Sequence, residues 1–494
     1  MDGLARGGGL LMGAAPRVSP DRRDRGTREE RVARGRLAAS RCPIEALASW
    51  GLRQDGASAI ALLEEQSATR VADLIPIRYG RMSASAFAFF RGSAIIMASD
   101  LATRPVTGIE VQAVGDAHIA NFGMFLSPTR HLVFDINDFD ETAPGPWEWD
   151  VCRLAASIEI CGRARGFSRH DRRVAVRACA KAYAQAMADF AEMGELDVWH
   201  AHLDLDEVVA HFEDEMSGKE SRTLRRAMEK ARSKNSARAV EKLARVEGGR
   251  LRFEMRPPEL VPLSEHHGYR DTVELSHALM VLMRRYFDSL SYDRRFLLNR
   301  YRYQDAAQKV VGVGSVGTRA WAVLLAGKDA DDPLVMQVKE AQTSVVERFW
   351  RPAGFASAGE RVVEGQRLIQ STADILLGWT SVENPLGEHR DYYVRQLWNG
   401  KGSIDLEGIG VEGLHSTARL CAWALAHAHA RTGDGVAIAA YTGYGLPKKE
   451  LRAAEDAFAD ALADFAHAYA DQNEADYRLF CELIASGELP CAVE

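Results

Sequence analysis

The chain has 494 residues, more than the roughly 100–200 that one domain usually holds. Hydrophobic residues at 47% and charged residues at 27% fit a soluble globular protein with a substantial core. A net charge of −7 gives no reason to expect nucleic acid as the main partner, and no apolar run reaches the ~20 residues of a membrane span. The stretch 7–15 is too brief and too glycine-rich for a signal peptide. Seven scattered cysteines (Cys42, Cys152, Cys161, Cys179, Cys421, Cys481, Cys491) contain no CxxC pair. They imply neither a zinc site nor a disulfide framework and fit a reduced, cytoplasmic compartment.

In chain order, residues 1–40 are rich in Arg and Gly and hold no aromatic group, which predicts a mobile tail. Apolar spacing predicts a helix over 44–65 and an extended segment through 88–92. Alternation at Ile109, Val111 and Ala113 and the apolar run 131–136 predict strand, loop, strand, loop over 108–140. Helical spacing follows over 149–191. The stretch 218–246 is strongly basic, with ten Lys and Arg from Lys219 to Arg245, and reads as a solvated helix face in preference to an anion-binding patch. Another helical region covers 269–301. Strands are predicted at 310–311, 320–325, 334–338, 375–382 and 391–397, with helices around 359–374, 414–431 and 451–484. A β-rich segment at 306–405 thus lies between mainly helical regions.

Gly312-Val313-Gly314-Ser315-Val316-Gly317 matches GxGxxG, a pattern that is weak alone. A dinucleotide-binding unit would open a helix at the third glycine. Here the next residues, 318–325, have strand character. A glycine loop between antiparallel strands is the arrangement that covers nucleotide phosphates in kinases. That arrangement requires a lysine on the next strand, and Lys339 ends the apolar run 335–339. A carboxylate from a following helix then holds the lysine; Glu364 is the first choice, with Glu360 and Glu347 as alternatives.

The second constellation is Gly115-Asp116-Ala117-His118-Ile119-Ala120-Asn121, followed by Asn137-Asp138-Phe139-Asp140. Phosphoryl transfer needs a carboxylate near the accepting hydroxyl and oxygen ligands for magnesium. Asp116 and Asn121 on one loop, with a second Asp after the next strand, supply these groups. The choice among Asp135, Asp138 and Asp140 stays open, with Asp138 preferred.

GDAHIAN resembles the GDxHxxN loop of aminoglycoside and choline kinase-like phosphotransferases. Asn137 to Asp140 is similar to their metal-binding segment, and Trp149-Asp150-Val151-Cys152-Arg153 to the helix that follows it. The resemblance implies Asp116 as catalytic base, Asn121 and Asp138 as Mg2+ ligands, His118 as loop support and Asp150 as a carboxylate bracing the loop. ATP would be held by Gly312, Gly314, Ser315, Gly317, Lys339 and Glu364. The two halves stand in reverse of the usual kinase order, which implies circular permutation. Residues 396–402 read as a hinge, and 414–431 is similar to the helix that precedes the catalytic loop in these kinases. The chain from about 40 to 485 also resembles the bacterial domain of unknown function 2252, through Phe89-Phe90-Arg91-Gly92, GDAHIANFG, FDINDFDE, PWEWDVCRLAAS, GVGSVGTRAW, QVKEA, VVEGQR and Tyr469-Ala470-Asp471-Gln472-Asn473.

The expected fold is therefore α+β, kinase-like and two-lobed. The expected parts are a tail (1–40), a helical lobe with the catalytic loops (41–305), a nucleotide-binding β lobe (306–405) and C-terminal helices completing the helical lobe (406–494). The expected activity is transfer of the ATP γ-phosphate to a hydroxyl acceptor that the sequence does not name. AMP transfer on the same site and a nucleotide-sensing pseudokinase are the alternatives. Arg91 stands equally as a substrate contact or as a partner for a loop carboxylate.

Overall fold

In the computed structural model, residues 26–492 are described other than 52, 54–55, 213–217, 266–271, 311, 313, 315 and 384–388. The architecture is mixed α+β, with antiparallel sheets set among helices. Among the described residues, no helix is long and apolar enough to cross a membrane.

The largest sheet has six strands in the order Gly378–Glu383, His389–Gln396, Pro333–Ala341, Ala320–Ala326, Arg302–Lys309 and Leu260–Pro262. Every neighbouring pair is antiparallel. Successive side chains leave opposite faces of a strand, so one strand feeds two cores. Trp321, Val323 and Leu325 join Leu279, Leu282 and Tyr286 on one side. Ala322, Leu324 and Ala326 join Leu243, Leu251 and Phe253 on the other. The sheet starts earlier than position 306, because Leu260–Pro262 pairs along Arg302–Lys309. The strand predicted at 310–311 is instead Arg302–Lys309, which ends before Val310; residue 311 lies outside the described residues.

The helical part is organised around Trp147–Ala164, whose residues 147–162 are all buried. It packs against Arg169–Glu192 and the 39-residue helix Lys448–Ser486. Three further strands, Phe122–Leu126, Leu132–Ile136 and the short Gly402–Ser403, form a sheet with Leu203–Asp204. Gly402–Ser403 belongs to the segment that leaves the six-stranded sheet, so the connection expected as a hinge is hydrogen-bonded to both sheets' surroundings.

Several local expectations are corrected. Residues 1–25 lie outside the described residues, but 28–40 are not a tail. Thr27 and Glu30 form a reciprocal capping box that starts the helix Arg28–Arg41. The helix predicted over 44–65 is divided into Ile44–Ala48 and Gly56–Ser67. The segment 88–92 is helical rather than extended. The Ser85 side chain accepts from Ala88 N and starts Ala86–Gly92, and a short apolar run has no periodicity to separate the two forms.

Candidate functional site

The GDAHIAN turn begins where Glu110–Ala113 ends. Gly115 has φ +77, and a Cβ there would stand 2.3 Å from the Glu141 carbonyl oxygen, so this position needs glycine. Val114 N and Gly115 N donate to the two oxygens of Asp150, at 2.7 and 2.9 Å. Asp150 also meets His429 Nε2 at 3.2 Å, and His429 Nδ1 meets the Tyr183 hydroxyl at 2.7 Å. Asp150 is thus the brace that the sequence pattern implied.

Three residues along the same helix, Arg153 presents Nε to Asp116 Oδ1 at 2.6 Å. Its Nη2 donates to Phe90 O at 3.0 Å, and its guanidinium lies over the Phe90 ring. Burial would push the Asp116 carboxyl up, but the Arg153 guanidinium, joined by Arg91, outweighs it and holds Asp116 below its ordinary value. His118 is driven the other way, down to about 4, chiefly by burial. It is therefore neutral near pH 7 and does not serve as a cation.

Asn121 ties the two carboxylate turns together. Its Nδ2 donates to the carbonyls of Asp116 at 3.1 Å and Asp138 at 3.0 Å. Asn137 N donates to Asn121 O at 2.9 Å. Across from these turns, strand register sets Lys339 between Ala320 and Tyr393. Its side chain is fully buried, its Nζ is paired with Asp140, and Asp138 Oδ1 is 3.9 Å away. The Tyr393 hydroxyl donates to the other Asp140 oxygen at 2.8 Å. Burial works against the Lys339 charge, yet Asp138 and Asp140 raise its pKa above the ordinary lysine value. Asp138 is held low despite burial, by Lys339, Arg395 and Lys401.

The carboxylate turns border a cleft of about 810 Å3, while Lys339 lies behind its wall and meets it through Asp140. Asp116, Asn121, Asp138, Gly312 and Gly314 line it, as do Asp140, Arg91 and Lys401. The glycine segment joins the antiparallel strands Arg302–Lys309 and Ala320–Ala326, as predicted. It also touches the helical part: Gly312 O accepts from Arg81 at 2.8 Å, Val316 O from Arg70 at 2.5 Å and Gly317 O from Val71 N at 2.8 Å. Gly317 is packed on Arg70 instead of facing the cleft. Ser315 lies outside the described residues.

The expected Lys339 partner is corrected. Glu364 Oε1 accepts from Arg367 on its own helix, at 2.7 Å. Glu347 is engaged by Arg361 and by Ser344 N, and Glu360 accepts from Ala356 N. Lys339 takes Asp140 instead. The physical reason lies in Arg361 on the same Ala358–Ile369 helix, whose guanidinium donates to the carbonyls of Asp140, Thr142 and Gln342. It fixes the Asp140 turn against the strand carrying Lys339. Among the three candidate aspartates, Asp135 is not part of the cleft lining. Burial pushes its carboxyl up to about 7, and Oδ1 accepts from Ile136 N at 2.8 Å.

Sequence reasoning assigned no role to Arg153, Arg361 or Lys401. Only Arg153 carried a usable signal: three residues after Asp150 on a helix, it shares the face that meets the loop.

What fold and site define is a mixed α+β protein with a carboxylate- and cation-lined cleft between a six-stranded antiparallel sheet and a helical body. The chain belongs to the family described as an uncharacterized protein conserved in bacteria, domain of unknown function 2252, whose model matches residues 70–483. No curated protein and no solved structure matches it.

Proposed function

We propose that the cleft binds Mg-ATP and transfers its γ-phosphoryl group to a hydroxyl acceptor, within a circularly permuted kinase-like fold. One observation carries this reading. Two sequence motifs about 200 residues apart meet here: residues of GDAHIAN and Asn137–Asp140 line one cleft together with Gly312 and Gly314, and Lys339 stands behind that lining, paired with Asp140. In kinases the lysine sits on the third strand, after the glycine hairpin, and a helix follows. Pro333–Ala341 and Ala358–Ile369 fit that order.

Lys339 would neutralise phosphate charge, and Asp116 would orient the acceptor hydroxyl and take its proton. Magnesium prefers oxygen donors and draws much of its shell from substrate phosphates and water. Asp138 and Asn121 suit it: Asp138 Oδ1 is buried without a hydrogen-bond partner. Among the described residues, no group of three or more His, Cys, Asp or Glu could hold a metal ion. When bound, the ion would offset charge between the β- and γ-phosphates.

The permuted order has its own support. Gln112 N donates to Thr432 Oγ1 at 3.1 Å across 320 residues of sequence, and a Cβ on Gly433 would stand 2.6 Å from Val111 Cγ1. The helix Val411–Thr432 thus ends beside the strand that leads into Gly115-Asp116. A kinase in ordinary order would run directly from one to the other. The lobe boundaries near 305 and 405 belong to the same proposal.

The test is incubation of the full chain with Mg2+ and ATP labelled separately at the α- and γ-phosphates, in a metabolite and protein extract. Transfer of γ-label is expected, lost in Asp138→Ala and Asp116→Asn. Transfer of α-label instead would make it an adenylyltransferase. Nucleotide binding with neither label moving in any extract would favour a sensor and overturn the transferase reading.

A further inference from the structure

We infer that Arg91 is the cation that binds the phosphoryl group during its transfer; this rests on the phosphotransferase reading above. Arg91 stands in the last turn of the helix Ala86–Gly92. Three contacts hold that helix in place. Phe90 O accepts from Arg153, Gly92 O accepts from buried Arg78 at 2.9 Å, and a Cβ on Gly92 would meet the Met82 side chain at 2.7 Å. The Arg91 backbone is therefore fixed, and it lies directly beneath the glycine segment. Its carbonyl oxygen would be 3.3 Å from a Cβ on Gly314. Arg91 and Asp116 line the same cleft, and Asp116 exerts the largest attraction on the guanidinium, followed by Glu407.

The other arginines of the cleft are already engaged. Arg70 donates to Val316 O, Arg348 pairs with Glu65, and Arg390 pairs with Glu340 at 2.9 Å. The Arg91 side chain makes no hydrogen bond or ion pair among the described residues, and its Nε is buried with no partner. A guanidinium stays charged at any ordinary pH, and a buried cation without a hydrogen-bonded partner is unfavourable. An anion arriving between the glycine segment and Asp116 would satisfy it.

That position selects the group in transit. In the transfer, the acceptor oxygen forms a bond to the γ-phosphorus as the bond from that phosphorus to the β,γ-bridging oxygen breaks. ADP departs with the electron pair, and the acceptor proton passes to Asp116. Negative charge spreads over the three equatorial oxygens of the phosphoryl group, and a pre-placed guanidinium acts best there. Arg91 is accordingly assigned to the transition state and not to ADP.

The test needs no acceptor. Calorimetry on the full chain would compare Mg-ADP alone with Mg-ADP plus aluminium fluoride, which mimics the phosphoryl group in flight. Wild type is expected to bind the fluoride complex more tightly. Arg91→Ala should lose about tenfold or more of that advantage while Mg-ADP affinity stays within about threefold. Arg91→Lys should recover only part of it, because an ammonium lacks the planar fork. Unchanged preference for the fluoride complex in Arg91→Ala would overturn the assignment. Equal loss of both affinities would overturn it too, by making Arg91 a ground-state or structural residue. Wild type that binds neither complex would refute the phosphotransferase reading itself.

Discussion

Asp116 and Lys401 face the same cleft with opposite electrostatic fates. Asp116 keeps its negative charge because Arg153 is bonded to it. Lys401, exposed on the cleft wall, is pushed down to about 8 by partial loss of solvation there and by Arg395, with Asp138 opposing. It is a cation below that pH and loses its charge above it. Nucleotide affinity should therefore fall as pH rises through about 8, and Lys401→Met should bind more weakly at pH 7 and show a flatter profile. Titrations of Mg-ADP at pH 7 and 9 would check this, and a wild-type affinity independent of pH would exclude the role. At this scale, Asp116, Asn121 and Asp138 were legible because a short turn fixes their mutual positions. The Lys339 partner was not, since Asp140 and Glu364 differ only in which way Arg361 locks one turn against a strand. No local pattern near residue 364 records that.

The helix Trp147–Ala164 carries Glu148, Asp150, Arg153 and Glu159 into the interior, each with a partner. Glu148 accepts from Thr107 N and the Thr107 hydroxyl, and Glu159 is bonded by Arg163 and Arg172. Burial still raises Glu148 to about 7, from its ordinary 4.5, against the lowering by Thr107. Between those two pH values the native state holds a proton that the unfolded chain has released. Linkage then makes unfolding free energy fall as pH rises from 4.5 to 7 and level off above. Glu148→Gln should remove one proton's share of that slope, measured by urea unfolding at pH 5 and pH 7. An unchanged slope would mean that Glu148 ionises normally. The helix itself was predicted from spacing. Its burial on every face was not, because the partners of Glu148, Arg153 and Glu159 lie in other segments: Thr107, Asp116 and Arg172. The stretch 88–92 failed for a related reason: its helical state depends on the Ser85 cap and on Phe89 packing against Tyr477 and Phe480.

The cleft draws its walls from residues 65–141, 312–358 and 389–403, so a ligand there joins segments that are distant in sequence. A ligand that binds only the native state stabilises it by about 2.7 kcal/mol at a hundred times its dissociation constant. Mg-ATP should raise the melting temperature of the full chain, and Asp138→Ala should abolish the part that requires magnesium. Absence of any shift at millimolar nucleotide would count against nucleotide binding. The two motifs and their embedding in α+β surroundings were visible in the sequence. The six-stranded order was only partly so, since Leu260–Pro262 joins the sheet from a segment with no alternation of its own. Capping at Thr27 likewise turned part of an apparent tail into a helix.

The Asp150–His429 contact sets a timetable for the ribosome. The two residues are 279 positions apart, which corresponds to about 15–60 s of synthesis at ~5–20 residues per second. For that interval the GDAHIAN turn has its brace but lacks the imidazole that holds the brace. The helical body closes only after the C-terminal third has emerged, and its nascent first half is the stretch that would most need chaperone cover.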